Sequence, residues 1–155
     1  METRVRVGYS AFSLLQEYDW LAQSDENGAV VTFTGKVRQH NLGTPVLAMM
    51  LEHYPGMAEK VINELMTEVR QRWELQRLVL IHRVGVLHPG DDIVLVGVSS
   101  AHRGEALAAA GYLMDNLKTR APFWKRETTP AGERWIAARV SDNEAARRWH
   151  VKVSD

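Results

Sequence analysis

The stretch LKTRAPFWKRE, from Leu117 to Glu127, sets Lys118, Arg120, Lys125 and Arg126 around an Ala-Pro-Phe-Trp turn. Two further cationic groups stand at ends of apolar segments: Lys36 with Arg38 after GAVVTFTG, and His102 with Arg103 after IVLVGVSSA. Such side chains bind oxyanions, Arg through its two-pronged donor fork and Lys as a point charge. At a helix start, unpaired backbone N–H groups add to that attraction. Taken singly, each cation is most simply a solvated end whose stem covers apolar surface. Brought together in a cleft, they would make an anion pocket in a neutral protein.

Other chemistries find less support. The chain has 155 residues and no cysteine. That excludes a disulfide scaffold, a thiolate nucleophile, a zinc–thiolate site and an iron–sulfur cluster. Sulfur handled by this protein must therefore arrive on a partner or cofactor. Six histidines occur, but no HxH or HxxxH pair, so no metal is expected. His82 sits inside an apolar strand and reads as a hydrogen-bonded core residue rather than a ligand. Ser99, Ser100 and His102 lack a GxSxG elbow and an orienting acid. No GxGxxG or Walker loop is present, and no cofactor is implied. The 19 basic and 19 acidic residues cancel, so no global field favours nucleic acid or an anionic membrane. A non-enzymatic phosphoanion or RNA-binding module using the same cations stays open, with neutral charge and the lack of an RNP-like string against it. METRVRVGYS has no signal-like apolar core, and no run nears the ~20 apolar residues of a span, so cytoplasm is the expected compartment.

The elements that must position these residues alternate between β and α. Arg4–Val7, Gly28–Arg38, Val46–His53, Arg77–Val84 and Ile93–Ser99 read as strands, the last covered on both faces. A polar loop with Asn41 and Gly43 joins the second and third, and Leu47, Met49 and Leu51 share one face. Lys36 and Arg38 point to one side of their strand and Val37 to the other. Phe12–Ala22 reads as a helix capped by Ser13. Met57, Val61, Leu65, Val69 and Trp73 recur every four residues, with Ile62 and Met66 widening the stripe of a second helix. His88–Asp92 is a turn. Glu105–Leu117 is a third helix, which Pro122 ends. Phe123–Thr128 and Arg134–Arg139 flank the turn TPAGE, with Lys125, Phe123 and Glu127 on one face and Arg126 and Trp124 on the other. Ser141 and Glu144 form a capping-box pattern for a terminal helix. The sum is a single mixed α+β domain with about seven strands.

In order along the chain, GAVVTFTGKVRQHN, LEHYPGM, IHRVG, PGDDIVLVGVSSAHR, LKTRAPFWKRE and RWIAAR closely resemble the catalytic (large) subunits of molybdopterin synthases. The likeness runs from the first strand to about Trp149. It implies an α/β-hammerhead-type fold with a mixed or antiparallel sheet, residues 1–150 forming the domain and 151–155 a tail. It implies a sulfurtransferase of molybdenum cofactor biosynthesis, built as a homodimer in which each copy binds a small ubiquitin-like sulfur carrier, a heterotetramer in all. The carrier's C-terminal Gly-Gly, as a thiocarboxylate, would give sulfur to cyclic pyranopterin monophosphate (precursor Z), forming a dithiolene. By similarity, Lys118 and Lys125 are the catalytic pair, and Lys36, Val37, Arg38, His102, Arg103, Arg126 and Glu127 bind or support substrate. Arg139 is a candidate to act across the dimer. Pro122, Phe123 and Trp124 are candidates for the wall of the tail groove, unless Phe123 and Trp124 are core on opposite sheet faces.

Overall fold

The computed structural model describes residues 2–136 and 140–150. β1 (Glu2–Gly8), α1 (Leu14–Leu21) and β2 (Ala29–Lys36) are followed by a short hairpin, β3 (His40–Asn41) and β4 (Thr44–Pro45), then β5 (Ala48–His53). After α2 (Met57–Arg72) come β6 (Arg77–Arg83), β7 (Gly85–Leu87) and β8 (Asp92–Ser100). The chain continues through α3 (Arg103–Arg120), β9 (Phe123–Thr129), β10 (Gly132–Ile136) and α4 (Val140–Arg147), and a 3-10 turn covers Arg148–His150.

Two four-stranded sheets result. One is mixed, in the order β1-β6-β8-β2, with only β1 and β6 parallel. The other, β10-β9-β5-β7, is antiparallel throughout. The apolar run of β8 is central because both its faces are covered: eight of its nine residues are buried. Val94, Val96 and Val98 join Leu78 and Leu80 in a core shared with α2 and α3, while Leu95 joins Val79 and Ile81 beneath α1. The larger core also takes Met49, Leu51 and Leu87 from the second sheet, so the two sheets share one interior. Gly97 lets α1 approach closely: a Cβ there would lie 2.4 Å from Leu21 Cδ1 and 2.7 Å from Val79 Cγ1. No helix among the described residues is long and apolar enough to cross a membrane.

Several local expectations hold. Ser13 caps α1, its hydroxyl accepting from Gln16 N at 3.3 Å. Pro122 stops α3, with Ala121 already extended (φ −71°, ψ 132°). Others need correction. Leu47 precedes β5 and is 53% exposed, leaving Met49 and Leu51 on the buried face. The buried stripe of α2 is Ala58, Ile62, Leu65, Met66 and Val69; Met57, at the exposed first turn, does not belong to it. The loop at Asn41 is a hairpin whose two tip residues, Leu42 (φ 52°) and Gly43 (φ 75°), both adopt left-handed geometry, as a type I′ turn demands. β7 carries little sequence signal because it is only three residues long and begins at the bend made by Gly85 (φ 88°). With these short pieces the described residues form ten strands. The Ser141 capping expectation falls outside the side chains described.

Candidate active site

A cavity of about 360 Å³ opens where the end of β2, the end of α3 and the inner face of β9 meet. Lys36, Arg38, Lys118 and Lys125 all line it. Each arrives by a simple local route. Lys36 and Arg38 follow the strand alternation past the end of β2, where the register slips so that Lys36 lies opposite Asp92 and Ile93 is passed over. Lys118 lies in the last turn of α3. Lys125 shares the inward face of β9 with Phe123 and Glu127, and all three reach the cavity. Phe33, Met114, Leu117, Ile93 and Val94 supply an apolar wall, which strengthens electrostatic interactions inside.

Beneath the cations lies a hydrogen-bonded frame. Glu127 is 2% exposed and accepts from Asn41 Nδ2 at 2.7 Å and from Arg134 Nη2 at 3.1 Å. Arg134 also donates to the Asn41 carbonyl at 3.1 Å, and Arg38 Nη2 donates to Asn41 Oδ1 at 3.3 Å. The buried carboxylate thus ties β9, β10 and the β3–β4 hairpin together and orients Arg38 through Asn41. The rim is more open. Lys36 pairs with Asp92 at 2.8 Å, and Lys118 Nζ lies 3.8 Å from Asp142 Oδ1 on α4. The 3-10 turn that follows that helix is anchored by Trp149, which stacks edge-on against Trp73 and Tyr112 and donates from Nε1 to Asp115 at 2.8 Å.

His82 is the hydrogen-bonded strand residue expected, and it also lines the cavity. Its ring lies flat on Phe123, with centroids 3.9 Å apart. Burial is the main force lowering its pKa to about 4, with Lys125 and His53 adding to it and the bond to the Arg83 carbonyl opposing.

Not every candidate converges. Val37 is buried in the core, its N–H donating to the Asp91 carbonyl and its C=O accepting from Gly90 N–H, both in the turn before β8. His102 and Arg103 stand at the opposite end of α3 from Lys118, roughly 22 Å away at 1.5 Å per residue. Arg126 points to the outer face of β9, near Glu133 and over Trp135. Trp124 shares that outer face at 49% exposure, so only Phe123 forms part of the cavity wall. Arg139 lies outside the described residues. Asn41, Arg134, Asp142 and Met114 were missed. Asn41 carried the one available signal, a side chain that favours tight turns; the others gain meaning only from pairings across the fold.

The arrangement can hold a polyanion against several preorganised cations in a partly dry site, and can stabilise charge that develops there. Among the described residues there is no cluster able to hold a metal ion.

Residues 7–120 match the family model described as MoaE protein. A molybdopterin synthase catalytic subunit from Yersinia pestis is 64% identical over 147 residues, covering 95% of this chain and 97% of that one. One from Escherichia coli K12 is 62% identical over 148 residues, covering 96% and 99%. Among solved structures, the molybdopterin biosynthesis MoaE protein of Burkholderia ambifaria superposes with a TM-score of 0.82 at 44% identity, covering 97% of this chain and all of that one.

Proposed function

The chain belongs to the MoaE protein family and acts as a sulfur-transferring catalytic subunit in molybdopterin synthesis, and we propose that its substrate is cyclic pyranopterin monophosphate. The sulfur comes from the C-terminal Gly-Gly thiocarboxylate of a small carrier subunit. The thiocarboxylate sulfur bonds to a side-chain carbon of the pterin as that carbon's bond to oxygen breaks, the oxygen leaving as water or with the phosphate as its ring opens. Water then cleaves the acyl–sulfur bond, releasing the carrier as a carboxylate. A second carrier repeats the transfer and completes the dithiolene.

One observation carries this reading: a chain of zero net charge gathers cations from three separated segments onto one cavity. Arg38 and Lys36 hold the phosphate. Lys118 and Lys125 stabilise the negative charge of attack and can supply a proton to it. Glu127 keeps Arg38 in place through Asn41. The working unit is a cytoplasmic homodimer with one carrier per copy, a heterotetramer. Within it His102 and Arg103, remote from their own cavity, serve the cavity of the second copy. The test is reconstitution with thiocarboxylated carrier and precursor Z, scoring dithiolene formation. Turnover by the parent is expected; failure to bind or convert precursor Z would refute the substrate assignment.

A further inference from the structure

Strand β6 sends Leu78, Leu80 and His82 to the same side, and the two leucines are fully buried in the main core. A third apolar residue would suit this row. Instead an imidazole stands where the core gives way to the cavity, opposite Val94. It is 6% exposed and stacked on Phe123 with an interplanar angle of 14°. Its Nδ1 lies 2.8 Å from the Arg83 carbonyl oxygen. A carbonyl can only accept, so Nδ1 carries the proton, and in the neutral ring Nε2 is a bare acceptor. Among the described residues nothing donates to Nε2. Stacking on Phe123 and the Nδ1 bond together favour this orientation of the ring.

The other acceptors of the cavity are already engaged with donors of the protein. Lys36, Arg38, Lys118 and Lys125 can only donate. Glu127 already accepts from Asn41 and Arg134, and Asp142 faces Lys118. Such a site suits a phosphate and would leave the N–H groups of a fused nitrogen heterocycle without a partner, which is costly once they are desolvated. We propose that His82 Nε2 accepts a hydrogen bond from a ring or exocyclic N–H of the pterin and so selects a pterin over other phosphorylated molecules. This assignment rests on the substrate reading above and adds to it the residue that reads the heterocycle rather than the phosphate.

Calorimetric titration of precursor Z, and separately of inorganic phosphate, onto the parent, His82→Leu and His82→Gln tests it. His82→Leu is expected to weaken precursor Z by about ten- to a hundredfold, the effect of leaving one buried donor unpaired. Phosphate affinity stays at the parental value, and His82→Gln, which keeps an acceptor, retains more affinity than His82→Leu. Tight binding of precursor Z by His82→Leu overturns the assignment, as does an equal loss for both probes. ¹⁵N-imidazole NMR of the parent gives an answer that needs no variant. The Nε2 resonance should be that of an unprotonated nitrogen, moving with precursor Z and not with phosphate; an Nε2 signal indifferent to precursor Z refutes the role. A parent that binds phosphate but not precursor Z defeats the substrate reading itself, a result distinct from a parent that binds it without help from His82.

Discussion

Two groups of cations meet at the last turn of α3 and are built in opposite ways. On the outer side, Arg120 grips Glu68 with both prongs at 2.7 and 2.8 Å, and Tyr112 donates to the same carboxylate at 2.7 Å. Arg70 on α2 is tied down still further, donating to the carbonyls of Glu2, Leu75 and Gln76 and to Thr3. On the cavity side, two residues before Arg120, Lys118 meets its carboxylate only at 3.8 Å. Among the described residues, Arg38 makes a single side-chain hydrogen bond out of the five its guanidinium could donate. The same residue types serve as struts in one region and as binding groups in the other. Charge does not distinguish the two; the number of donors already spent on the protein does.

The comparison can be broken most directly by alanine. Lys118→Ala and Lys125→Ala are each expected to cut sulfur transfer about a hundredfold or more, with melting temperatures close to the parent. Normal turnover by both would show that the cavity cations are also mere struts. Glu127→Ala strips the frame beneath Arg38 and leaves Arg134 and Asn41 partly unpaired. It should cost about 1–3 kcal/mol of stability and weaken precursor Z binding, read by denaturant titration and calorimetry.

pH separates the two regions without any ligand. His82 titrates at about 4 when folded against an ordinary 6.5. The unfolded chain therefore takes up this proton first, so stability is complete above 6.5 and falls as pH drops toward 4, by on the order of 3 kcal/mol. His82→Leu should flatten that window. Glu68 is held at about 2 against 4.5, chiefly by its bonds to Arg120, so its contribution is full above 4.5 and lost as pH falls through about 2. The pair is about a third exposed, so solvent screening limits the effect to about 1 kcal/mol. Arg120→Ala should lose a similar amount at neutral pH while sparing catalysis, the reverse of Lys118→Ala. The smallest expected effect is a gain. Leu42 occupies left-handed geometry at 78% exposure, and Leu42→Asn should stabilise the hairpin by about 0.5–1 kcal/mol in thermal melts.

Much of this could be read from the chain, where one local rule sufficed. The run Ile93–Ser99, the Ser13 cap and the Pro122 stop each follow from short-range sterics or apolar pattern, and each element lies where expected. Strand alternation also predicted that Lys125, Phe123 and Glu127 share a face, and the cavity contains all three. What could not be read depends on contacts distant in sequence. The bond from Asn41 to Glu127 spans 86 residues, and that from Arg134 to the Asn41 carbonyl spans 93. The pairing of β5 with β9 that brings these groups together leaves no trace in either strand alone. The apolar neighbours of His82 mark it as core in the sequence; only the fold reveals that the core ends at its ring.

Helix α3 is 18 residues long, with Lys118 near one tip and Arg103 at the other. In the twofold assembly proposed here, one rod therefore contributes to two reaction centres, and defects at its two tips fall in different places. A mixed dimer of Lys118→Ala and Arg103→Ala chains would concentrate both lesions in one centre and leave the other intact. Two inactive proteins would then complement each other on exchange of subunits, a behaviour that a helix serving a single centre could not produce.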